Sequence, residues 1–194
     1  MQNLDDFERQ LEELIGRPTN MRPFVCEGSP LKCRIFIVGF NPATKMTASF
    51  WDFWRSGYGF DKKAWFEAYK EERRSQPLKP GKHRRNPVSN TRRVIDWITE
   101  AASPCNCFES NIYSLPSDDQ RGLAQESRNI APFKFLLKCI KPSVIVAHGD
   151  DAGREIHRLA PSSYVRCVKH FARGWSEEAA RALGEEVKAR VYDD

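Results

Sequence analysis

The stretch Arg34-Ile35-Phe36-Ile37-Val38-Gly39-Phe40-Asn41-Pro42-Ala43-Thr44 constrains this chain more than any other. Ile35 to Val38 is apolar and largely β-branched, with no polar alternation. Such a strand is stable where both faces of its sheet are covered. Ser143-Val144-Ile145-Val146-Ala147 is a second run of the same kind. Gly39 lets the backbone come close to a ligand, Asn41 offers an amide past the strand's carboxyl end, and Pro42 fixes the exit of the turn. Ligands of open α/β sheets bind at that end of the strands. Neither GxGxxG nor GxxxxGK[ST] occurs, so the turn suits the positioning of a side chain better than the wrapping of a pyrophosphate.

The rest of the chain supplies alternating partners for these strands. Helical spacing or capping predicts helices over Asp5–Ile15, Asp61–Ser75, Asn90–Ala102, Ile130–Ile140 and Gly149–Leu159, and a last one after Ser176. Strands are expected at Arg34–Val38, Cys107–Tyr113, Ser143–Ala147 and Tyr164–Val168. The expected fold is therefore α/β: a three-layer α/β/α sandwich around a central four-stranded parallel sheet. At 194 residues the chain reads as a single domain, 1–194, with a basic and aromatic insertion at about 45–89.

The formal net charge of +5 is consistent with a polyanionic partner without demanding one. The first residues, Met1-Gln2-Asn3-Leu4-Asp5-Asp6, are polar and acidic, unlike a signal peptide. No apolar run approaches the ~20 residues that span a bilayer. The expectation is a soluble, cytoplasmic, monomeric protein with no membrane partner. Cys26, Cys33, Cys105, Cys107, Cys139 and Cys167 include no CxxC pair, which predicts reduced structural thiols and no metal.

Polar residues gather at the expected strand ends: Asn41 after the first, Asn111 in the second, His148 after the third and His170 after the fourth. An asparagine amide donates and accepts at once, as the edge of a nucleobase requires, although Asn111 could instead tie down the turn that follows. His170 could stabilise a developing oxyanion. His148, beside the helix start Gly149-Asp150-Asp151, reads as structural. Phe50 and Trp51, within an aromatic cluster that runs to Trp54, offer surfaces for base stacking or for core packing. Lys82, Arg84 and Arg85 lie in a Pro-rich segment, 76–87, and could contact phosphates or stand solvated.

In their order these motifs resemble the uracil-DNA glycosylase superfamily, across roughly Arg34 to Val191. Gly39-Phe40-Asn41-Pro42 is similar to the first motif of its mismatch-specific and single-strand-selective branches. Ser110-Asn111-Ile112-Tyr113-Ser114-Leu115-Pro116 resembles the strand whose asparagine reads the flipped base. Pro142 to Ala152 resembles the third-strand segment, and His170 falls at the histidine of the second catalytic motif. The resemblance implies a monofunctional DNA glycosylase that hydrolyses the bond to uracil or a related deaminated base, with no cofactor. Asn41 and His170 would be catalytic. Gly39, Phe40, Phe50, Trp51 and Asn111 would surround the base. Phe171 and Arg173, in the loop after His170, would meet DNA together with Lys82, Arg84 and Arg85.

The chain departs from the family in three places. The second motif is His170-Phe171-Ala172 instead of His-Pro-Ser. Asn41 replaces the acidic water activator of the fastest branch, which implies slower hydrolysis. The paired cysteines of the iron–sulfur branches are absent before the first strand. The alternative is a catalytically silent nucleic-acid or nucleotide binding protein on the same fold. A further possibility is a hydrolase with a metal held by His148, Asp150 and His170.

Overall fold

A computed structural model describes residues 3–43, 46–78, 81, 83–117, 128–159 and 162–192. Lys82, one of the expected phosphate contacts, lies outside them. Helix α1 (Leu4–Ile15) begins where the Asn3 side chain accepts the Asp6 N–H at 2.7 Å, and it buries Phe7, Leu11 and Ile15. Strands β1 (Phe24–Cys26) and β2 (Ile35–Gly39) follow. A short 3₁₀ turn over Phe50–Phe53 then leads into a two-stranded hairpin, β3 (Trp54–Arg55) and β4 (Gly59–Phe60). Next come α2 (Lys62–Ser75), α3 (Asn90–Ala101), β5 (Cys107–Asn111), α4 (Ala131–Ile140), β6 (Val144–His148), α5 (Asp150–Leu159), β7 (Tyr164–Val168) and α6 (Glu177–Tyr192).

The main sheet has five strands in the order β1-β5-β2-β6-β7. Its four expected strands are all mutually parallel, but β1 pairs antiparallel with β5, Phe24 opposite Ser110. The sheet is therefore mixed and five-stranded, not the four-stranded parallel sheet that the sequence predicts. Phe24-Val25-Cys26 is too short to display a period of its own, and pairing with β5 is what makes it a strand.

Helices pack on both faces. Phe36, Val38, Phe108, Ile145 and Ala147 face a large core shared with α1, α4 and the aromatic cluster of residues 50–60. Ile35, Ile37, Cys107, Val144 and Val146 face a second core under α3 and α6. β2 neighbours β5 on one side and β6 on the other, so chain direction across the sheet reverses between β2 and β6. The carboxyl ends of strands at such a reversal open a crevice between the flanking connections.

Candidate functional site

The side-chain period of a strand sets up the crevice. Gly39 shares its face with Ile35 and Ile37, Asn111 with Cys107 and Glu109, and His148 with Val144 and Val146. Gly39 is in register with Asn111, and Val38 with Ala147, so Asn111, Gly39 and His148 form one row across three adjacent strand ends. A Cβ at Gly39 would lie 2.7 Å from Asn111 Oδ1 and 2.8 Å from His148 Nε2. Only a residue without a side chain allows these two polar groups to converge here.

A cavity of about 810 Å³ opens at this row, and Asn41, Asn111, His148 and His170 all line it. The structure thus brings together the polar residues from four separate strand ends. Asn41 Nδ2 donates to Ser117 Oγ at 2.7 Å, which orients the amide. Ser117 N–H is in turn held by Pro42 O at 3.1 Å. The Asn111 amide makes no hydrogen bond to the turn that follows it among the described residues, so turn capping is not its role here. The turn is held by backbone instead, with Ile112 N donating to Gly39 O and Tyr113 N to Phe40 O, both at 3.0 Å.

His170 stands at the rim. Its Nδ1 accepts the Ala172 N–H at 3.2 Å, and burial lowers its pKa. A neutral ring whose Nδ1 accepts carries its proton on Nε2. Gly149, at φ 92°, turns the chain under it, where a Cβ would sit 3.3 Å from His170 Cδ2. His148 is buried, and its ring meets that of His170 edge-on with centroids 5.0 Å apart. Burial, with His170 adding to it, pushes the His148 pKa down to about 3. His148 Nδ1 has no hydrogen-bond partner among the described residues. His148 therefore lines the cavity while it is also packed into the core against Phe171, as its sequence neighbours suggested for a structural residue. The signal for the cavity position was its place in the pattern: it ends β6 as Gly39 ends β2.

Below the row lies a buried ion triad. Glu109, two residues before Asn111 on the same face, receives Arg92 from α3 on one oxygen and Lys62 Nζ of α2 on the other, the latter at 2.8 Å. Burial pushes the Glu109 carboxyl up, but Arg92 and Lys62 outweigh it and hold it below the usual carboxylate value.

Other expected site residues fall elsewhere. Phe50 lines the cavity wall and stacks on Phe60, centroids 5.2 Å apart. Trp51 points away: its Nε1 donates to Gly16 O at 2.7 Å, and the Arg17 guanidinium lies 4.7 Å over its ring. Trp51 is thus a clamp on the end of α1 and not a stacking surface for a base. Phe40 packs edge-on against Tyr113 at 5.1 Å. Arg84 is exposed and lines the cavity. Arg85 donates to Arg73 O and to Gln76 Oε1 at 3.0 and 3.1 Å, so it ties the segment after α2 to that helix.

Phe171 corrects the sequence more sharply. Expected to meet DNA, it is 1% exposed, stacked on His148 with centroids 4.3 Å apart and edge-on to Trp175. With phenylalanine where the resembling motif has proline, the residue turns into the core beneath α3 and α6. Arg173 remains exposed in the same loop. Among the described residues, no three His, Cys, Asp or Glu side chains come together as a metal site, so His148, Asp150 and His170 form none. All six cysteines are free.

No protein-family model matches the chain, and a search of curated proteins finds no match.

Proposed function

We propose that the protein hydrolyses the N-glycosidic bond of a uracil-like base in DNA, as its resemblance to the uracil-DNA glycosylase superfamily implies. The observation that carries this reading is the convergence of Asn111, whose amide has no hydrogen bond among the described residues, a neutral His170 and an anchored Asn41 on one cavity at the sheet's reversal point.

The base would enter the cavity with its pairing edge against Asn111, whose amide both donates and accepts. His170 would donate from Nε2 to the base oxygen that gains charge as the C1′–N bond breaks. Asn41 has one side of its amide fixed by Ser117, which leaves Oδ1 to accept from a water and aim it at C1′. The water oxygen then bonds to C1′, the base departs as an anion held by His170, and the water's proton is released. A carboxylate would take up that proton more readily than an amide, so turnover should be slow. His148, uncharged at neutral pH, would shape the pocket without adding a cation to it.

Strands carrying uracil, hypoxanthine or xanthine, incubated with the protein and then treated with alkali, test the reading. Breaks that appear with the wild type and disappear in Asn41→Ala support it. Intact strands in a protein that binds them would favour the catalytically silent relative.

A further inference from the structure

His148 stands where an apolar residue would pack better. It is buried and stacks on Phe171, and its Nδ1 is fully buried with no hydrogen-bond partner among the described residues. An apolar side chain at the end of β6 could fill the same place against Phe171 without leaving a polar atom unsatisfied. What it would lack is the second ring nitrogen. His148 Nε2 points to Gly39, 2.8 Å from where a Cβ there would be. From the opposite flank of β2, Asn111 Oδ1 comes within 2.7 Å of the same position. Both residues line the cavity, and with Nδ1 sealed in the core, Nε2 is the ring nitrogen left to meet a ligand.

The surroundings place the ring proton. Burial keeps His148 uncharged at neutral pH, so the ring carries a single N–H. On Nδ1 that proton would be a buried donor without an acceptor, which proteins tolerate less than a buried acceptor without a donor. On Nε2 it faces the side where Asn111 Oδ1 lies. The ring therefore donates from Nε2. Asn111 turns Oδ1 toward Gly39, and Nδ2 is the more distant of its two polar atoms. From β6 toward β5 the row thus reads donor, acceptor, donor. The complementary edge is acceptor, donor, acceptor, an N–H between two carbonyls, which is the imide of uracil and xanthine. Hypoxanthine has the N–H and one carbonyl. Guanine and cytosine carry an amino donor in place of one carbonyl.

We infer that His148 is a specificity-determining residue: its Nε2–H meets one carbonyl of the base while Asn111 takes the N–H and the other carbonyl, so that the cavity selects an imide edge. The inference rests on the reading that a base enters this cavity, and it narrows which base that is. β7 neighbours β6, and the His170 ring that follows β7 lies 5.0 Å from that of His148. The carbonyl at His148 is therefore the one nearest His170. In uracil that is O2, the carbonyl beside the glycosidic nitrogen. A base without it leaves the buried Nε2–H unpaired, and a site built to hydrogen-bond a group discriminates against an analogue that lacks it.

Calorimetric titration with 2′-deoxyuridine, its 2-thio and 4-thio analogues and 2′-deoxyinosine tests this. Sulfur is a weak acceptor, so each thio analogue weakens one carbonyl position and keeps the N–H. The expected result is that 2′-deoxyuridine binds about tenfold or more tightly than its 2-thio analogue and than 2′-deoxyinosine. His148→Leu should bring 2′-deoxyuridine down toward the 2-thio analogue and leave the penalty of the 4-thio analogue in place, its fold checked by thermal unfolding. Nitrogen NMR of the wild type reads the same contact without a variant: the ring proton of His148 sits on Nε2, and the Nε2 signal shifts when 2′-deoxyuridine is added. Equal binding of 2′-deoxyuridine and 2′-deoxyinosine overturns the inference, as does a ring proton on Nδ1. Base release from strands is read separately. Selective binding of 2′-deoxyuridine without any release removes the glycosylase reading and leaves this one standing. Release of hypoxanthine as readily as uracil does the reverse.

Discussion

Asn111 and His148 stand on either side of Gly39 in a single row of strand ends, and their polar atoms meet where a side chain on Gly39 would be. β5 and β6 are not neighbours in the sheet; β2 separates them. The glycine removes the one side chain that would otherwise keep the amide and the imidazole apart. The site is thus made as much by what β2 lacks at its last residue as by what β5 and β6 supply.

Replacing Gly39 by alanine should therefore damage the site more than the fold. The added methyl would overlap Asn111 Oδ1 and His148 Nε2 at 2.7 and 2.8 Å. Overpacking of this kind costs about 1–3 kcal/mol, and here the side chains that must yield are ones that line the cavity. Gly39→Ala should remain folded, with melting lowered by a few degrees, while nucleoside affinity falls by about tenfold or more. Titration and thermal unfolding on the same sample check this. Undiminished affinity would mean that Asn111 and His148 do not act from the positions the row gives them.

Much of this was legible in the chain because it depends on local rules. Ser176 was expected to cap the last helix, and its Oγ accepts the Ala179 N–H at 3.1 Å. The apolar runs of β2 and β6 declared their burial by lacking alternation. What escaped depends on distant partners. β1 is a strand because β5 offers it an edge. Trp51 is taken from the cavity by Gly16 O and Arg17, which no pattern near residue 51 announces. His148 was weighed by its sequence neighbours, whereas its place beside Gly39 follows from register with a strand more than a hundred residues earlier.

The depressed pKa of His148 makes a prediction about acid stability. Folded His148 stays neutral down to about pH 3, while the unfolded side chain takes up a proton near pH 6.5. The unfolded state then binds more protons, so stability rises with pH in this window. The contribution is complete above pH 6.5 and is lost as pH falls, at about 1.4 kcal/mol per unit for one proton. His170, also lowered, acts in the same direction. Urea unfolding between pH 7.5 and 5, a range set by the ordinary histidine pKa of about 6.5, should show this slope. His148→Gln, which cannot titrate, should flatten it. An unchanged slope in the variant would place the proton elsewhere.

Glu109 should matter for stability out of proportion to its size. Glu109→Gln keeps the shape of the side chain but leaves Arg92 and Lys62 without their shared counter-charge beneath the cavity. Breaking one partner of a buried ion network costs about 3–5 kcal/mol, because the remaining charge is left uncompensated. Asp96, 3.6 Å from Arg92 Nε and less buried, offers only partial relief. Chemical denaturation should place the variant in that range. A loss below about 1 kcal/mol, the level of an exposed pair, would show that water reaches the triad.

Phe171 separates the two accounts of the loop after His170. If the loop pressed into a duplex, Phe171→Ala would weaken DNA binding and leave the fold alone. Its ring is instead 1% exposed, stacked on His148 and packed under α3 and α6. Removing it should leave a cavity and cost about 3–5 kcal/mol, the usual range for a buried phenylalanine. For a chain of this length that lowers the melting temperature by on the order of 10 °C. The space left would also admit water beside His148, relieving the burial that keeps its pKa near 3 and moving that pKa up toward its ordinary value. Affinity for undamaged DNA should change by less than about twofold, since Arg173 and the rest of the exposed loop surface remain. Thermal unfolding, histidine titration by NMR and a DNA binding isotherm on the one variant give all three readouts. A stable variant with weakened DNA binding would return Phe171 to the duplex and put its packed position in doubt.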